Sequence, residues 1–188
     1  MKITIGCDHC GYELKEGMIK ALGREFQLAD AGCSGRQSSD YPDFAITVAT
    51  RVAFGEADLG VLICKTGIGM SMAANRFQNV RAALCSTVEA AVLSRQHNAA
   101  NVLCIGADSV SFEYALDMVR AFAKTPVDMD ARHVRRRAKL ERAARLSDAS
   151  GLMRDDPEVF AAIVLNKGFR YHKRSLPVLP CAMELLLA

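Results

Sequence analysis

Short apolar runs alternate with longer amphipathic segments along most of the chain. The short runs are typical of buried strands, and they are Lys2–Cys7, Phe26–Asp30, Leu59–Cys64, Arg81–Cys85 and Val102–Gly106. Between them, apolar residues recur at helical spacing, which predicts helices with one buried face. The faces contain Leu14, Met18 and Leu22; Phe44, Ala45, Val48, Ala49 and Val52; Val88, Ala91 and Val92; and Phe112, Ala115, Leu116, Val119 and Phe122.

This alternation predicts an α/β fold. Strands that alternate with helices form βαβ units, whose parallel sheet is covered by helices on both faces. We therefore expect a Rossmann-like three-layer α/β/α arrangement around a five-stranded parallel sheet. Five strands suit the order 2-1-3-4-5, although sequence alone does not fix strand order. In that order the topological switch lies between strands one and three, and ligands bind at the carboxyl ends of those strands.

Residues 61–71 combine a thiol with a glycine-rich turn. The third predicted strand ends at Cys64, Gly67 and Gly69 follow, and Met70–Arg76 is compatible with a helix. Such a turn aims backbone N–H groups and the positive end of a helix dipole at one place, beside the thiol. Cys64 alone is more typical of an inert buried cysteine, but beside this turn its thiolate is favoured.

The first predicted strand ends next to this turn if the switch point is correct. Asp8 and His9 follow that strand directly, so they would face the loop from Cys64 to Gly69 across one crevice. The alternative interpretation is that Asp8 and His9 only cap the first helix.

Two later segments carry further candidate chemistry. His97, in Ser94-Arg95-Gln96-His97-Asn98, lies at the end of the fourth predicted helix. The alternative to a chemical role is that this histidine only caps the carboxyl end of the helix. Arg132 and Arg136 are four residues apart, so on a helix they project side by side and could grip one phosphate. The alternatives for this basic segment are a solvated face or a nucleic-acid patch.

Composition excludes several classes of protein. The chain is 51% hydrophobic and 24% charged, with a net charge of +3, as in an ordinary globular protein. We expect no signal peptide and no membrane span, since no apolar run approaches about 20 residues. Seven cysteines without paired CxxC spacing argue against a disulfide framework or a zinc site, and indicate a reducing cytoplasm. Gly67 and Gly69 do not complete G-x-G-x-x-G, because Met72 takes the last position, and no P-loop motif occurs.

Several stretches together resemble the sugar-phosphate isomerase family of ribose-5-phosphate isomerase type B, which includes allose-6-phosphate and galactose-6-phosphate isomerases. The resemblance spans residues 1–146. It rests on Gly6-Cys7-Asp8-His9, Asp40-Tyr41-Pro42-Asp43-Phe44, Gly55-Glu56-Ala57-Asp58, Ile63-Cys64, Thr66-Gly67-Ile68-Gly69, Ala73-Ala74-Asn75, Arg81-Ala82-Ala83-Leu84, Ser94–Asn98, Ala100-Asn101-Val102, Arg132-His133 and Arg135-Arg136. It implies a homodimer with active sites between subunits, sometimes paired into tetramers, and no metal or organic cofactor.

The resemblance also implies roles for the matching residues. Cys64 is similar to the base that moves a proton between C1 and C2 through a cis-enediolate. The backbone N–H groups of Thr66, Gly67, Ile68 and Gly69, with the Thr66 hydroxyl, resemble the anion hole. By the same likeness Asp8 relays protons between sugar hydroxyls, Tyr41 positions the sugar, and His97 with Asn98 opens the furanose ring from the partner subunit. His9, Arg132 and Arg136 bind the phosphate.

The chain departs from the family pattern at two places. Lys65 stands where the family usually has glycine, so it either points to solvent, adds a cation near the enediolate or narrows the site, with a possible shift in sugar preference. Asp128-Met129-Asp130-Ala131 stands where the family often has a glycine pair.

Residues 147–188 lie outside the resemblance. Ser147-Asp148-Ala149-Ser150-Gly151 has the composition of a linker, and Asp155–Glu158 is a plausible helix start. We expect a domain over residues 1–146 and a helical C-terminal extension of unknown role over 147–188. The resemblance favours an isomerase acting on ribose 5-phosphate, with allose 6-phosphate, a weakened sugar-phosphate sensor and a nucleic-acid-binding protein as alternatives.

Overall fold

The computed structural model describes residues 1–145, and the predicted extension over 147–188 lies outside the described residues. Five strands alternate with helices in the predicted order, and a sixth helix follows. Three strands have the predicted bounds, while the second and fourth are shorter. The elements are β1 (Lys2–Cys7), α1 (Tyr12–Leu22), β2 (Gln27–Asp30), α2 (Tyr41–Ala53), β3 (Leu59–Cys64), α3 (Ile68–Ala74), β4 (Ala82–Leu84), α4 (Val88–Asn98), β5 (Val102–Gly106), α5 (Phe112–Lys124) and α6 (Ala131–Arg145).

The five strands form one parallel sheet between two helical layers, so the predicted fold class is confirmed. Side chains along β3 point alternately to the two faces of the sheet, so this strand contributes to the core on both sides. Leu59, Val61 and Ile63 pack on the side of α1 and α5, whereas Leu62 and Cys64 pack on the side of α2 and α3. The Cys64 side chain therefore lies on the α2 and α3 side of the sheet.

The predicted strand order 2-1-3-4-5 was wrong for its last two strands. The observed order is β2-β1-β3-β5-β4, because β5 pairs with β3 and β4 lies at the edge. Every residue of β5 is buried, whereas β4 has three residues, none of them buried. A short, partly exposed strand suits an edge, and a fully apolar strand needs neighbours on both sides.

The side-chain amide of Asn75 covers the free edge of β4. It donates to the carbonyl oxygen of Ala82 at 2.8 Å and accepts from the Ala82 N–H at 2.9 Å. One residue of the edge strand is thereby paired much as by another strand, which reduces its capacity for edge-to-edge association.

Within residues 1–145, no helix is both long and apolar enough to cross a membrane.

Candidate active site

The carboxyl ends of β1 and β3 meet at the switch point, which the corrected strand order leaves in place. The N–H of Asp8 donates to the carbonyl oxygen of Ile63 at 3.2 Å. A side chain at Gly11 would lie within 2.8 Å of that same oxygen, so the start of α1 packs closely on the end of β3. Asp8 makes the first of these contacts, and Cys64 is the residue after Ile63. Both are therefore held at one edge of the sheet.

Cys64 accepts a hydrogen bond from the turn that follows it. Its side chain is 5% exposed, and the N–H of Gly67 donates to its Sγ at 3.1 Å. The turn itself depends on Gly67, whose φ is 75°, in the left-handed region that side chains disfavour.

The glycine turn and Tyr41 form one unit. The Thr66 hydroxyl accepts from the N–H of Ile68 at 3.3 Å, which closes the turn on its outer side. A side chain at Gly69 would lie 2.5 Å from Cζ of Tyr41, so the tyrosine ring rests directly on the turn. Tyr41 begins α2 and stays 39% exposed, with its hydroxyl beside the crevice.

The Asp8 carboxylate also stabilises the local backbone. Oδ1 accepts from the N–H groups of Cys10 and Gly11 at 3.0 and 3.2 Å, and the residue is 6% exposed. The capping interpretation is therefore partly right, since these bonds organise the turn before α1, whose cap is Gly11. Oδ2 has no such bond among the described contacts and remains available for chemistry.

His9 is held by a serine that sequence analysis missed. Nδ1 of His9 accepts from the N–H of Ser39 at 3.2 Å, and the His9 N–H donates to the Ser39 hydroxyl at 3.2 Å. An accepting Nδ1 places the proton of a neutral imidazole on Nε2, which then serves as a donor. Ser39 directly precedes the Asp40-Tyr41 motif, which is the only sequence signal that could have indicated it.

Asp8, His9 and Cys10 are the residues at this edge whose donors could hold a metal ion. Within the described chain their side-chain ligand atoms lie within 4.8 Å of one another. Two of these ligand atoms, Oδ1 of Asp8 and Nδ1 of His9, already accept hydrogen bonds from backbone N–H groups. A metal ion here would compete with those bonds.

Lys65 extends away from the turn. Its side chain is 69% exposed, and its Nζ lies 3.9 Å from Oδ2 of Asp108, which is equally exposed. The described residues with positive φ, glycines aside, are Asn79 and Ala99, so Lys65 has an ordinary backbone conformation. The turn therefore does not need glycine at this position.

We expect Lys65→Gly to change kcat/KM on any sugar phosphate by no more than about fivefold, because exposed ion pairs contribute only about 0–1 kcal/mol. Asp108→Asn is the matched control, since it removes the same pair from the other side. Steady-state kinetics of both variants check this, and a changed sugar preference in Lys65→Gly alone would show that the lysine reaches the substrate.

A second group of candidate residues lies where α4 ends and α6 begins. The imidazoles of His97 and His133 stack with ring centroids 4.2 Å apart and planes 5° from parallel. Arg137 joins the same two elements, since it donates to the carbonyl oxygens of Asp128 at 2.8 Å and His97 at 3.3 Å. Sequence analysis assigned no role to His133 or Arg137, although His133 lies within the motif that begins at Arg132.

The segment before α6 supplies its N-terminal hydrogen bonds. Oδ1 of Asp130 accepts from the N–H of Arg132 at 2.8 Å, and Oδ1 of Asp128 accepts from the N–H of Asp130 at 2.8 Å. The departure from the family's glycine pair thus provides caps for this helix. Arg132 and Arg136 lie on α6 with the predicted spacing, and both are exposed.

His133 gives the fold an acid sensitivity. Burial, and then the neighbouring charges of His97 and Arg132, lower its pKa below the ordinary value of 6.5, against the opposing effect of Asp128 and Asp130. Below about pH 6.5 the unfolded chain therefore binds more protons than the folded chain, and the free energy of unfolding falls as the pH falls through the folded pKa.

We expect His133→Phe, which keeps an aromatic ring but cannot titrate, to weaken this dependence. Urea denaturation of both proteins across a pH series measures it. Parallel stability curves for the wild type and the variant would contradict the assignment to His133.

The structure does not bring the two groups of candidate residues together. Among the described residues, no hydrogen bond or ion pair joins His97, Asn98, Arg132 or Arg136 to Asp8 or Cys64. Asn98 instead lines a cavity of about 330 Å³ with Arg81 and Glu141. One chain therefore holds two half-sites: an Asp8/Cys64 half-site at the switch point and a His97/Arg132 half-site between α4 and α6.

Known proteins resemble this chain in sequence and in fold. The model of the Ribose/Galactose Isomerase family matches residues 3–140. Over 122 residues the chain is 46% identical to ribose-5-phosphate isomerase B of Escherichia coli. The alignment covers 64% of this chain and 82% of that protein. The structure of Clostridium thermocellum ribose-5-phosphate isomerase B matches with a TM-score of 0.73 and 42% identity, over 76% of this chain and 97% of that one. Ribose-5-phosphate isomerase B from Mycoplasma genitalium, solved with bound ribulose-5-phosphate, matches with a TM-score of 0.72 and 39% identity, over 76% and 95%.

Proposed function

The chain belongs to the ribose/galactose isomerase family, and we propose that it interconverts ribose 5-phosphate and ribulose 5-phosphate through a cis-enediolate. Its relatives named ribose-5-phosphate isomerase B make it an aldose–ketose isomerase of sugar phosphates. The observation that carries the finer proposal is the Cys64 sulfur, buried at the switch point with a backbone donor 3.1 Å away.

Cys64 is the base of the proposed reaction. Its thiolate takes the proton from C2 of the open-chain aldose and leaves an enediolate, and the thiol, after exchanging its proton with solvent, delivers a proton to C1. The turn from Thr66 through Gly67 and Ile68 to Gly69 faces the developing negative charge with backbone N–H groups and the Thr66 hydroxyl. Such fixed dipoles stabilise charge without reorganising during the reaction.

Asp8 and Tyr41 act on the sugar itself. Oδ2 of Asp8 relays a proton between the sugar oxygens at C1 and C2, while Oδ1 stays bound to the backbone and fixes the carboxylate. The Tyr41 ring, resting on Gly69, keeps the sugar against the turn.

The phosphate and the furanose ring are handled by the remaining residues. His9 donates from Nε2 to the phosphate, because Ser39 occupies Nδ1. Arg132 and Arg136, one helical turn apart, add the positive charge that a phosphate dianion requires. His97 protonates the ring oxygen as the furanose opens, and Asn98 lies beside it.

We infer that the active enzyme is a homodimer in which the two half-sites come from different subunits. The separation of the half-sites supports this, since no hydrogen bond or ion pair among residues 1–145 brings His97 to Cys64. Pairs of dimers would form a tetramer without altering the site.

Mixing two inactive variants tests the shared site. We expect Cys64→Ala and His97→Asn each to be inactive, and their mixture to regain activity after denaturation and refolding together. In a mixed dimer, one site combines an intact Cys64 with an intact His97, so activity returns in that site only. A mixture as inactive as its components, with mixed dimers present by native mass spectrometry, would place both residues of a site on one chain.

The same residues leave two alternatives to the proposed activity, another substrate and binding without catalysis. Allose 6-phosphate is the alternative substrate, and comparative kinetics on the two sugars decide between them. The sensor alternative predicts binding without turnover. We propose no nucleic-acid or membrane partner, no cofactor and a cytoplasmic location. The hydrogen bond from Arg137 to the carbonyl oxygen of His97 joins the basic helix to α4 and gives it a role other than nucleic-acid binding.

A further inference from the structure

Cys7 and Cys33 form a buried pair of thiols that the proposed reaction does not use. Cys7 is the last residue of β1, and Cys33 lies in the loop that follows β2. Their sulfur atoms are 3.7 Å apart, and the Cys33 N–H donates to the Cys7 carbonyl oxygen at 3.0 Å. The Cys33 thiol also lies 3.2 Å from the carbonyl oxygen of Gly35.

The backbone places the pair at a distance suited to a covalent bond. The hydrogen bond from Cys33 to Cys7 continues the pairing of β1 with β2, after the bond from Ala31 to Ile5. In this register Cys7 lies opposite Gly32, one residue before Cys33. A strand spacing of about 4.8 Å and a rise of about 3.3 Å per residue then put the two Cα atoms about 6 Å apart, within the separation of about 4.4–6.8 Å found across disulfides. Bond formation therefore needs side-chain rotation rather than movement of a strand.

Of the two buried thiols, Cys33 is the more accessible to a reagent. Cys7 is fully buried, with Gly32 packed over its sulfur, whereas Cys33 is 8% exposed and lines a polar pocket of about 720 Å³ with Arg36 and Ser39. Burial and the neighbouring Cys33 raise the pKa of the Cys7 thiol, while the buried ammonium of Lys15 opposes this. Cys33 is therefore the group that reacts first.

We propose that Cys7 and Cys33 are a redox modification site that forms an internal disulfide by exchange with a low-molecular-weight disulfide such as oxidised glutathione. The Cys33 thiolate attacks one sulfur of the reagent and releases one thiol. The Cys7 thiolate then attacks the Cys33 sulfur and releases the second thiol. Two electrons pass from the cysteines to the reagent, and both protein thiol protons are lost to the medium.

Both cysteines are close in the chain to residues of the proposed sugar-phosphate site. Cys7 is bonded directly to Asp8, and the loop that contains Cys33 also contains Ser39, which holds His9. Forming the bond shortens the sulfur separation from 3.7 Å to about 2.05 Å within a close-packed region. We expect a severalfold rise in KM for the sugar phosphate with a smaller change in kcat, which rests on the proposed role of His9 in phosphate binding.

Peptide mapping tests the site without reference to activity. The reduced full-length protein is treated with oxidised glutathione, quenched in acid, alkylated and cleaved on the amino side of aspartate. Cleavage at Asp8, Asp30 and Asp40 puts Cys7 in fragment 1–7, Cys10 in 8–29 and Cys33 in 30–39. We expect fragment 1–7 joined to fragment 30–39, in wild type and in Cys10→Ser but not in Cys33→Ser.

Two results would overturn the proposal. One is recovery of fragment 1–7 as an alkylated free thiol from the folded, glutathione-treated protein. The other is its attachment to the Cys10 or Cys64 fragments as often as to the Cys33 fragment, the pattern expected of protein oxidised in urea.

Kinetics of the same samples test the link to the site. We expect the rise in KM in wild type to reverse with dithiothreitol and to be missing from treated Cys33→Ser, which controls for oxidation of Cys64. A complete disulfide with unchanged KM would refute that link. Inactivity of the untreated, reduced protein would instead count against the proposed function.

Discussion

Replacing Cys64 by alanine is expected to lower kcat for ribose 5-phosphate isomerisation by about 10²–10⁴-fold, the usual contribution of a positioned general base. The substitution removes the group at the end of β3 that takes the proton from C2 in the proposed mechanism. It also removes the acceptor of the Gly67 N–H, so the turn loses one of its internal bonds. The measurement is steady-state turnover with purified, folded variant protein.

Two variants separate base chemistry from packing. Cys64→Ser keeps an acceptor for Gly67 but has a hydroxyl that is far harder to ionise, so it should be nearly as inactive as the alanine variant. Cys10→Ser alters an exposed thiol near the same crevice and should retain turnover. Activity of Cys64→Ser within a few-fold of wild type would show that Cys64 supports the turn and is not the base.

Replacing Gly67 by alanine is expected to disrupt the turn and to lower kcat by about 10²–10³-fold, the typical effect of losing an oxyanion-hole donor. Two costs combine at this position. The φ of 75° is strained for a side chain by about 1–2 kcal/mol. The added Cβ would also lie 2.9 Å from the carbonyl carbon of Ile105 and 3.1 Å from the nitrogen of Gly106, backbone atoms of β5 that cannot yield cheaply.

Gly55 provides a matched control for the backbone strain. Its φ is also 75°, but a side chain there meets no atom within 4 Å. Gly55→Ala should therefore cost only the strain of about 1–2 kcal/mol in unfolding free energy, with unchanged kinetics. Calorimetry and turnover of both variants give the comparison. Equal kinetics for Gly67→Ala and wild type would contradict the role of the turn.

The sheet was largely predictable because buried strands consist of uninterrupted apolar residues, which are visible in the sequence. The fully apolar runs at Leu59–Cys64 and Val102–Gly106 coincide with β3 and β5, which have neighbours on both sides. The order of β4 and β5 differs from the predicted one because the composition of these two strands decides which of them lies at the edge. β4 is short and bordered by Arg81, which signals an edge strand, whereas β5 is apolar throughout.

The Asp8/Cys64 half-site was predictable for a topological reason. Parallel strands end at one edge of the sheet, so residues that follow β1 and β3 must meet wherever those strands pair, whatever the order of the others. Ser39 and His133 were not predictable in this way. Their contacts with His9 and His97 depend on where a long loop and a terminal helix pack, and periodicity carries no information about either.

Solvent isotope incorporation during turnover is the most direct test of the central claim. Ribose 5-phosphate is converted by the purified protein in deuterium oxide, and the ribulose 5-phosphate formed is examined by NMR, with Cys64→Ala run alongside. An enediolate with a cysteine base predicts ribulose 5-phosphate that carries deuterium at C1, and no product from the variant. Unimpaired turnover by Cys64→Ala would exclude that thiol as the base, and wild-type product without deuterium would mean that the C2 hydrogen reaches C1 without the solvent exchange that the account places at the thiol. Either result would contradict the account.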